Sequence, residues 1–577
     1  MLERVDEIAA DILARKIDKR AAVEGFESLS AADRGRLISR LKSAMPAGGC
    51  AQTVAPRRAG QLRCINERQL GASHLRFISD LADRYARFAP TSKQNAVKHR
   101  RYLVDARKIA NLKKPIKSLQ FHITYKTAVG PYLHDVDGNR YIDITGDNGV
   151  NLFGGSPELI ANAVTNRVKD GYPLVGYTEE LFEAAKLFCE LTGNERVAFT
   201  QSGTEAVMWA VRMARAATRR SKIVIFERSY HGLSDTVGAV RSHDGSSVSA
   251  GLGIPQEYAD QLIVLEYGNA EHLEIIAERS EEIAGVLVEP VQAAQPHLQP
   301  GHFLQELRKL TLETGMLLIF DEMITGFRVC PRGAQGHFGV KADIATYGKI
   351  AGGGMPTGMI GGAAKYLDFI DGGQWELEGS SMPKLERIYL GGTHTRNPVK
   401  LAATVAVLRE MKRLCPGTLD CRGCSCFQKQ LSARTEAMAE ELNSFFREQG
   451  LPVRIDYFSS LFKFTFIDDP FGIVREMFLV QLRMNGVETS VSGNFFLTTA
   501  HSDEDVKAIV TAVKSSLSTL LTANFFLPVE DGAPQATEDS GGTAPGAQRG
   551  VSDADRQLEK LKELIRADFR KFEEGAH

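Results

Sequence analysis

The most constraining feature of the sequence is a regular alternation of short apolar runs and amphipathic segments between residues 196 and 320. The apolar runs have the length of strands, and the segments between them have the period of helices. Apolar strands that alternate with helices form a mostly parallel sheet covered on both faces. We therefore predict an α/β fold, with strands at 196–200, 222–226, 262–265, 285–288 and 316–320 and helices that include 204–217 and 302–313.

The rest of the chain divides into segments of different character. An Asp-Gly turn between two strand runs predicts a hairpin at 132–143. After Pro398, helices at 399–413 and 428–448 and strands at 461–466 and 495–497 predict a smaller α+β domain. The predicted divisions are a helical N-terminal extension (1–45), a linker (46–71), a helical leader (72–122), a large domain (123–395), a small C-terminal domain (396–528), a disordered linker (529–552) and an amphipathic helix (553–577).

Charge and composition exclude several classes of function. Among 577 residues, Lys plus Arg is 70 and Asp plus Glu is 71, which gives a net charge of −1. A nucleic-acid binder needs a basic surplus, so we expect neither a nucleic-acid partner nor an anionic membrane surface. No apolar run is long enough to span a bilayer, and the first residues lack the apolar core of a secretory signal. With few cysteines for its length, the chain is expected in the cytoplasm.

Two of the predicted strands lead into segments that suit a flat, phosphorylated ligand. Ser202, Gly203 and Thr204 open a helix after the first strand, where amides and hydroxyls suit a phosphate. An ordinary helix cap is the alternative. Tyr230 follows the second strand, where its ring could stack on a flat ligand or pack in the core.

Two further strands lead to charged groups. Asp321 ends a strongly apolar strand, and an acid there needs a metal or a protonated ring nitrogen as its partner. Lys349 lies between a short strand and a glycine-dense loop, which lets the backbone approach a ligand closely. An exposed surface lysine is the alternative. Together, a phosphate cradle, an aromatic ring, an acid and a lysine are what pyridoxal phosphate requires.

On these motifs the chain resembles class III pyridoxal-phosphate aminotransferases of fold type I over residues 120–520, and within them the glutamate-1-semialdehyde aminomutase-like branch. The resemblance implies a large domain with a seven-stranded type of sheet, a small C-terminal domain and a homodimer. It also implies a role for each matching residue. Lys349 would bind the cofactor as a Schiff base, Asp321 would pair with the ring nitrogen, Tyr230 and Met323 would lie on opposite faces of the ring, Ser202, Gly203 and Thr204 would hold the phosphate, Gln292 would approach the ring hydroxyl, and Thr393 would reach the phosphate in the partner subunit.

Other segments narrow the resemblance. Residues 289–292, 298–300, 345–349 and 371–375 look like aminotransferase domains of polyketide and nonribosomal peptide synthases, and residues 29–38 resemble linkers between their modules. The aminomutase-like branch has an aromatic residue within 146–149 and a histidine-bearing turn at 154–157, and neither is present here. The resemblance therefore implies an amino-acid donor and a ketone or aldehyde acceptor on a polyketide-type chain, with an acyl carrier protein or synthase module as a partner.

Three alternatives stay open. The enzyme could be an aminomutase or transaminase of small free substrates, or the fold could serve as a catalytically silent scaffold. Cys415, Cys421, Cys424 and Cys426 fall within 12 residues of one another. Four thiolates can bind zinc or an iron–sulfur cluster. Their irregular spacing, between two predicted helices, favours a site without metal.

Overall fold

The computed structural model describes residues 62–105, 112–415, 426–490 and 492–529. The predicted helices within 1–45 and 553–577 lie outside these residues. In chain order the strands are β1 (Leu62–Cys64), β2 (Tyr125–Val129), β3 (Tyr132–Asp135), β4 (Arg140–Asp143), β5 (Arg196–Thr200), β6 (Lys222–Phe226), β7 (Ala239–Arg241), β8 (Ser247–Ser249), β9 (Leu262–Leu265), β10 (Ile283–Val288), β11 (Leu317–Asp321), β12 (Ile344–Tyr347), β13 (Gly358–Gly362), β14 (Val453–Phe458), β15 (Leu461–Phe466), β16 (Val487–Glu488), β17 (Phe495–Phe496) and β18 (Phe526–Pro528).

The helices share the amphipathic pattern seen in the sequence. They are α1 (Ala72–Phe88), α2 (Pro90–Lys98), α3 (Glu158–Lys169), α4 (Glu179–Thr192), α5 (Gly203–Thr218), α6 (Gln256–Ala259), α7 (Glu271–Glu278), α8 (Gly301–Thr314), α9 (Gly333–Phe338), α10 (Lys349–Gly352), α11 (Ala364–Asp371), α12 (Pro398–Leu414), α13 (Phe427–Glu448), α14 (Ile473–Met484) and α15 (Asp503–Thr522). Short 3-10 helices cover Glu67–Gln69, Lys114–Leu119, Asp235–Val237 and Ser280–Glu282.

The predicted sheet is present, and its strands follow the order β5-β13-β12-β11-β10-β6-β9. All neighbours are parallel except β13, which is antiparallel to both of its neighbours. Every residue of β10 and β11 is buried, as expected for central strands with helices on both faces. The prediction of an α/β fold with a mostly parallel sheet is confirmed.

The predicted hairpin at 132–143 forms, since β3 and β4 pair antiparallel. It belongs to a second sheet with the order β16-β4-β3-β2, in which β16 from the C-terminal part pairs parallel with β4. The hairpin therefore joins the C-terminal segment and not the seven-stranded sheet. The domain boundary at residue 123 stays a prediction, because a period along the chain does not report which distant strand completes a sheet.

The predicted linker also ends earlier than the sequence suggested. Strand β1 pairs antiparallel with β18, with Cys64 opposite Phe526. Ile65, just after β1, is buried, and its amide donates to the carbonyl of Phe525. Residues 62–71 are thus part of the folded body, although their small and basic composition predicted a linker.

Candidate active site

The predicted site residues follow the carboxyl ends of strands in the central sheet. Ser202 lies two residues after β5, Tyr230 lies in the loop after β6, Asp321 is the last residue of β11, and Lys349 begins α10 after β12. The carboxyl ends of parallel strands lie at one edge, which is where open α/β sheets bind ligands. The topology thus gathers at one edge four groups that are far apart in the sequence.

Asp321 forms a buried pair with His231. The Nδ1 atom of His231 lies 2.8 Å from Oδ2 of Asp321, and each side chain is 2% exposed. The other carboxylate oxygen, Oδ1, accepts from the amide of Met323 at 3.1 Å and from the hydroxyl of Thr346 at 3.3 Å. Both oxygens of this buried carboxylate are thus held in place, and an acid is the group that can pair with a protonated ring nitrogen.

The Lys349 amine is enclosed but unbonded. Within the described part of the chain, its Nζ has no hydrogen bond and no carboxylate within ion-pair distance. Burial lowers the pKa of Lys349 below its usual value, Arg328 lowers it further, and the charges of Asp321 and Glu289 oppose this shift. Its backbone has a φ of 28°, a left-handed conformation in which a non-glycine residue is strained. A strained lysine whose pKa is lowered by burial is typical of a functional site.

The turn before α5 has the geometry of an anion site. Ser202 caps the helix, and its hydroxyl accepts from the amide of Glu205 at 3.2 Å. The amides of Gly203 and Thr204 lie in the first turn, where a helix offers them no acceptor. Gly232, with a φ of 90°, lies so close that a Cβ there would be 2.6 Å from Oγ1 of Thr204. The Tyr230 loop is therefore held directly against this turn.

The Tyr230 loop is fixed by two buried side chains. The amide of Tyr230 donates to Oε1 of Glu289 at 2.6 Å, and the Tyr230 residue is 59% exposed. Burial raises the pKa of Glu289, and Asp321 adds to this effect. Gln292 donates at 2.8 Å both to the carbonyl of Glu227 and to the hydroxyl of Ser229. Gln292 thus anchors the loop, and its contact with a ring hydroxyl stays a prediction.

Met323 packs between Gly203, in the turn before α5, and Gly348, the residue before Lys349. A Cβ on Gly203 or on Gly348 would lie 2.8 Å from its sulfur atom, so both glycines make room for the thioether. Thr393, by contrast, is exposed, and a Cβ on its neighbour Gly392 would lie 2.8 Å from Nε2 of Gln201. Its role toward a partner subunit stays a prediction.

These residues fit pyridoxal phosphate. A buried carboxylate can pair with the ring nitrogen, and an amine without a hydrogen bond can react with the aldehyde. A helix N-terminus can bind the phosphate. The glycines pressed against Met323 and Thr204 keep the backbone close around the space between these groups.

Comparison with known proteins decides the family. Residues 114–514 match the family model described as Aminotransferase class-III. The chain belongs to the class-III aminotransferase family. It is an enzyme of that family, and its cofactor is pyridoxal phosphate.

The relatives of this class-III aminotransferase include curated aminomutases. It is 38% identical over 293 residues to glutamate-1-semialdehyde 2,1-aminomutase 2 of Lachnoclostridium phytofermentans, covering 50% of this chain and 66% of that protein. It is 36% identical over 361 residues to the glutamate-1-semialdehyde 2,1-aminomutase of Deinococcus radiodurans, covering 61% of this chain and 76% of that protein. The first match thus spans just under two thirds of the relative.

A similar solved structure is an omega-transaminase from Sphaerobacter thermophilus, with a TM-score of 0.64 and 26% identity. The match covers 74% of this chain and 97% of that one. This likeness confirms the fold type I architecture. The finer placement among polyketide and nonribosomal peptide synthase domains stays a prediction.

Sequence reasoning assigned no role to two residues of the site, His231 and Glu289. Each lies next to or near a predicted site residue, His231 directly after Tyr230 and Glu289 three residues before Gln292. Only the folded chain brings them to Asp321 and to the backbone of Tyr230. A histidine adjacent to a candidate aromatic residue was the available signal.

The sequence predicted neither a metal site nor a membrane-spanning helix. Among the residues that the structure describes, no cluster of three or more His, Cys, Asp or Glu is placed to hold a metal. Cys421 and Cys424 lie outside those residues, so the four-cysteine alternative is not tested. No helix in the described ranges is long and apolar enough to cross a membrane.

Proposed function

We propose that this enzyme moves an amino group from an amino-acid donor to a ketone or aldehyde acceptor, with Lys349 as the residue that binds the cofactor and carries the proton. The observation that carries the proposal is the unbonded Lys349 amine at the same sheet edge as the buried Asp321–His231 pair. A surface lysine would be solvated, and a buried acid needs polar partners that offset its lost hydration.

Bound pyridoxal phosphate supplies an aldehyde that condenses with amines and a protonated ring that withdraws electrons. Asp321 would hold a proton at the ring nitrogen, and His231 orients this carboxylate through its 2.8 Å contact. The Nζ of Lys349, once released from the cofactor, would remove the proton from the donor carbon that bears the amino group. It would then act as the acid and deliver that proton to the former aldehyde carbon of the cofactor. Burial lowers the pKa of this amine, and this shift favours its role as a base.

The remaining predicted residues position the cofactor. Tyr230 and Met323 would lie on the two faces of the ring, and the turn Ser202–Thr204 would hold the phosphate at the N-terminus of α5. Gln292 acts on the ring hydroxyl, either directly or by fixing the Ser229 side chain. These roles are supported by the contacts of the loop and turn described above.

The acceptor is proposed to be a carbonyl on a polyketide-type chain, bound to a carrier protein. The support comes from the motifs shared with synthase aminotransferase domains and from the turn Gly146–Gly149. All four of its residues have positive φ, and Oδ1 of Asn148 accepts from the hydroxyls of Ser490 and Ser492, both at 3.3 Å. The turn is thus polar at a position where the aminomutase-like branch has an aromatic side chain.

The turn Gly146–Gly149 is tied to the site by Arg328. This guanidinium is 2% exposed, donates to the carbonyl of Gly149 and, at 2.9 Å, to the hydroxyl of Ser460, and lies 4.4 Å above the Phe496 ring. Its charge also lowers the pKa of Lys349. Arg328 therefore both contacts the turn and acts electrostatically on Lys349.

The second candidate is an aminomutase or transaminase of small free substrates. The identities of 38% and 36% to glutamate-1-semialdehyde aminomutases favour it. The alternative of a catalytically silent scaffold is not favoured, because the chain matches the family model and also retains both Lys349 and Asp321. We further propose a cytoplasmic homodimer in which Thr393 serves the phosphate site of the partner subunit.

A half-reaction screen tests the acceptor. The enzyme, loaded with the amino group by an amino-acid donor, is mixed with glutamate 1-semialdehyde, small free ketones and β-ketoacyl groups on a carrier protein. Return of the cofactor absorbance to its starting form reports transfer. Fast transfer only to the carrier-bound acceptor supports the proposal, whereas fast transfer only to the semialdehyde supports the aminomutase.

A further inference from the structure

A lysine that none of the assignments above uses is buried next to the phosphate turn. Lys400, in the first turn of α12, is 4% exposed, and its Nζ donates to the carbonyl oxygen of Thr200 at 2.7 Å. Within the described ranges it has no carboxylate at ion-pair distance. Glu205 is the acid whose charge acts on it, and both oxygens of that carboxylate are already bound by Gln201, at 2.7 and 3.0 Å.

A buried ammonium with only a neutral acceptor is unfavourable, because it has lost its hydration without gaining an opposite charge. This loss of hydration lowers the pKa of Lys400 to about 8. An apolar side chain of similar length would fill the same space at less cost. The position of this cation therefore suggests that an anion comes close to it in the working enzyme.

The contacts of Lys400 lead directly to the phosphate turn. Thr200, whose carbonyl it binds, is fully buried and donates from its own hydroxyl to the carbonyl of Ser202 at 2.9 Å. Ser202 caps α5 and precedes the two first-turn amides of Gly203 and Thr204. A single residue, Thr200, thus links the ammonium to the backbone of the turn.

We propose that Lys400 is a positioning residue for a phosphate monoester dianion, the phosphate of the cofactor, whose charge it partly balances from beneath the turn. This inference rests on the proposed assignment of Ser202–Thr204 to the phosphate. The turn amides and the helix dipole supply partial charges only, and a buried lysine adds a full one. Because no described carboxylate lies at ion-pair distance from Lys400, the dianion would add an opposite charge to that of the more distant Glu205.

The test compares the affinity of the apoenzyme for pyridoxal phosphate and for pyridoxal, which lacks the phosphate, by absorbance titration. The ratio of the two dissociation constants measures the phosphate contribution alone. Lys400→Gln keeps a donor for Thr200 without the charge, and Lys400→Arg keeps the charge. Lys412→Met is the matched control, because Lys412 lies on the same helix in an exposed ion pair with Glu190 at 2.8 Å.

We expect Lys400→Gln and Lys400→Met to lower the preference for pyridoxal phosphate by about tenfold or more, the scale of a charge-assisted contact. Lys400→Arg and Lys412→Met should retain most of it. A preference unchanged in Lys400→Met, or restored by Lys400→Gln, would overturn the proposal, since the lysine would then only hold the backbone of Thr200.

Two further readouts separate the possible failures. Thr204→Val should also reduce the preference, and if neither it nor any Lys400 variant does so, the phosphate turn itself is wrongly assigned. If only Thr204→Val reduces it, the Lys400 proposal alone fails. Thermal unfolding of the apoenzyme guards against misfolding, because Lys400→Met should melt no lower than wild type and gain less from added pyridoxal phosphate.

Discussion

Replacing His231 with leucine should slow the reaction while leaving the enzyme folded. Leucine fills most of the volume of the imidazole but cannot donate to Asp321. Asparagine is the matched control, since its Nδ2 can take the place of the Nδ1 atom that lies 2.8 Å from the carboxylate. The other ring nitrogen, Nε2, has no partner among the described residues, so asparagine loses no further contact.

The magnitude follows from the burial of the pair. Both side chains are 2% exposed, so no water can replace the lost donor. A hydrogen bond to a buried charged group contributes about 1.5–3 kcal/mol, which corresponds to roughly tenfold to 150-fold. The Met323 amide and the Thr346 hydroxyl that remain on Oδ1 should keep Asp321 in place, so the loss should fall on the pairing of Asp321 with the ring nitrogen.

The assay is the single-turnover rate of the half-reaction with a saturating amino-acid donor, together with thermal unfolding. We expect His231→Leu to react roughly tenfold to 150-fold more slowly and His231→Asn to recover most of the rate. A leucine variant as fast as wild type, or an asparagine variant as slow as leucine, would refute the argument that the hydrogen bond to Asp321 matters.

Four further predictions follow from the structure. Borohydride reduction of the loaded enzyme and peptide mapping should place the label on Lys349, and Lys349→Ala should lower multiple turnover by more than about a thousandfold; a label on another lysine would contradict the assignment. Mixed dimers of Lys349→Ala and Thr393→Val chains should be more active than either parent, whereas a fully active monomer in sedimentation would exclude shared sites. Because the pKa of Lys400 is lowered to about 8 in the folded apoenzyme, the unfolded chain binds more protons between pH 8 and the ordinary pKa of lysine, and wild-type stability should rise with pH through that window. In denaturant unfolding, Lys400→Met should be more stable than wild type by about 1–3 kcal/mol near pH 7 and should lose this advantage at high pH. A chain trimmed to 62–529 should keep its melting temperature and its rate with a free acceptor, whereas one trimmed to 72–529 should melt lower because it lacks strand β1; equal melting would show that β1 adds nothing.

The chain trimmed to 62–529 also tests the role of the segments that flank it. If the 62–529 chain loses its rate only with a carrier-bound acceptor, residues outside it dock the carrier protein. If it loses the rate with both acceptors, the flanks support the enzyme itself.

The sequence by itself determined the sheet and the order of its functional groups. Strands at 196–200, 222–226 and 262–265 were predicted at the bounds that the structure shows, because apolar runs between amphipathic helices are a local signal. Ser202, Asp321 and Lys349 stood out for the same reason, since each comes at or just after the end of such a run.

Only the tertiary structure decided which distant groups meet. His231 and Asp321 are 90 residues apart and Lys400 and Thr200 are 200 residues apart, yet each pair is in hydrogen-bond contact. The pairing of β1 with β18 escaped the sequence in the same way. Hydrophobic periodicity records the environment of each segment but not its partner, and partners are selected by how the layers of the whole chain pack around the central sheet.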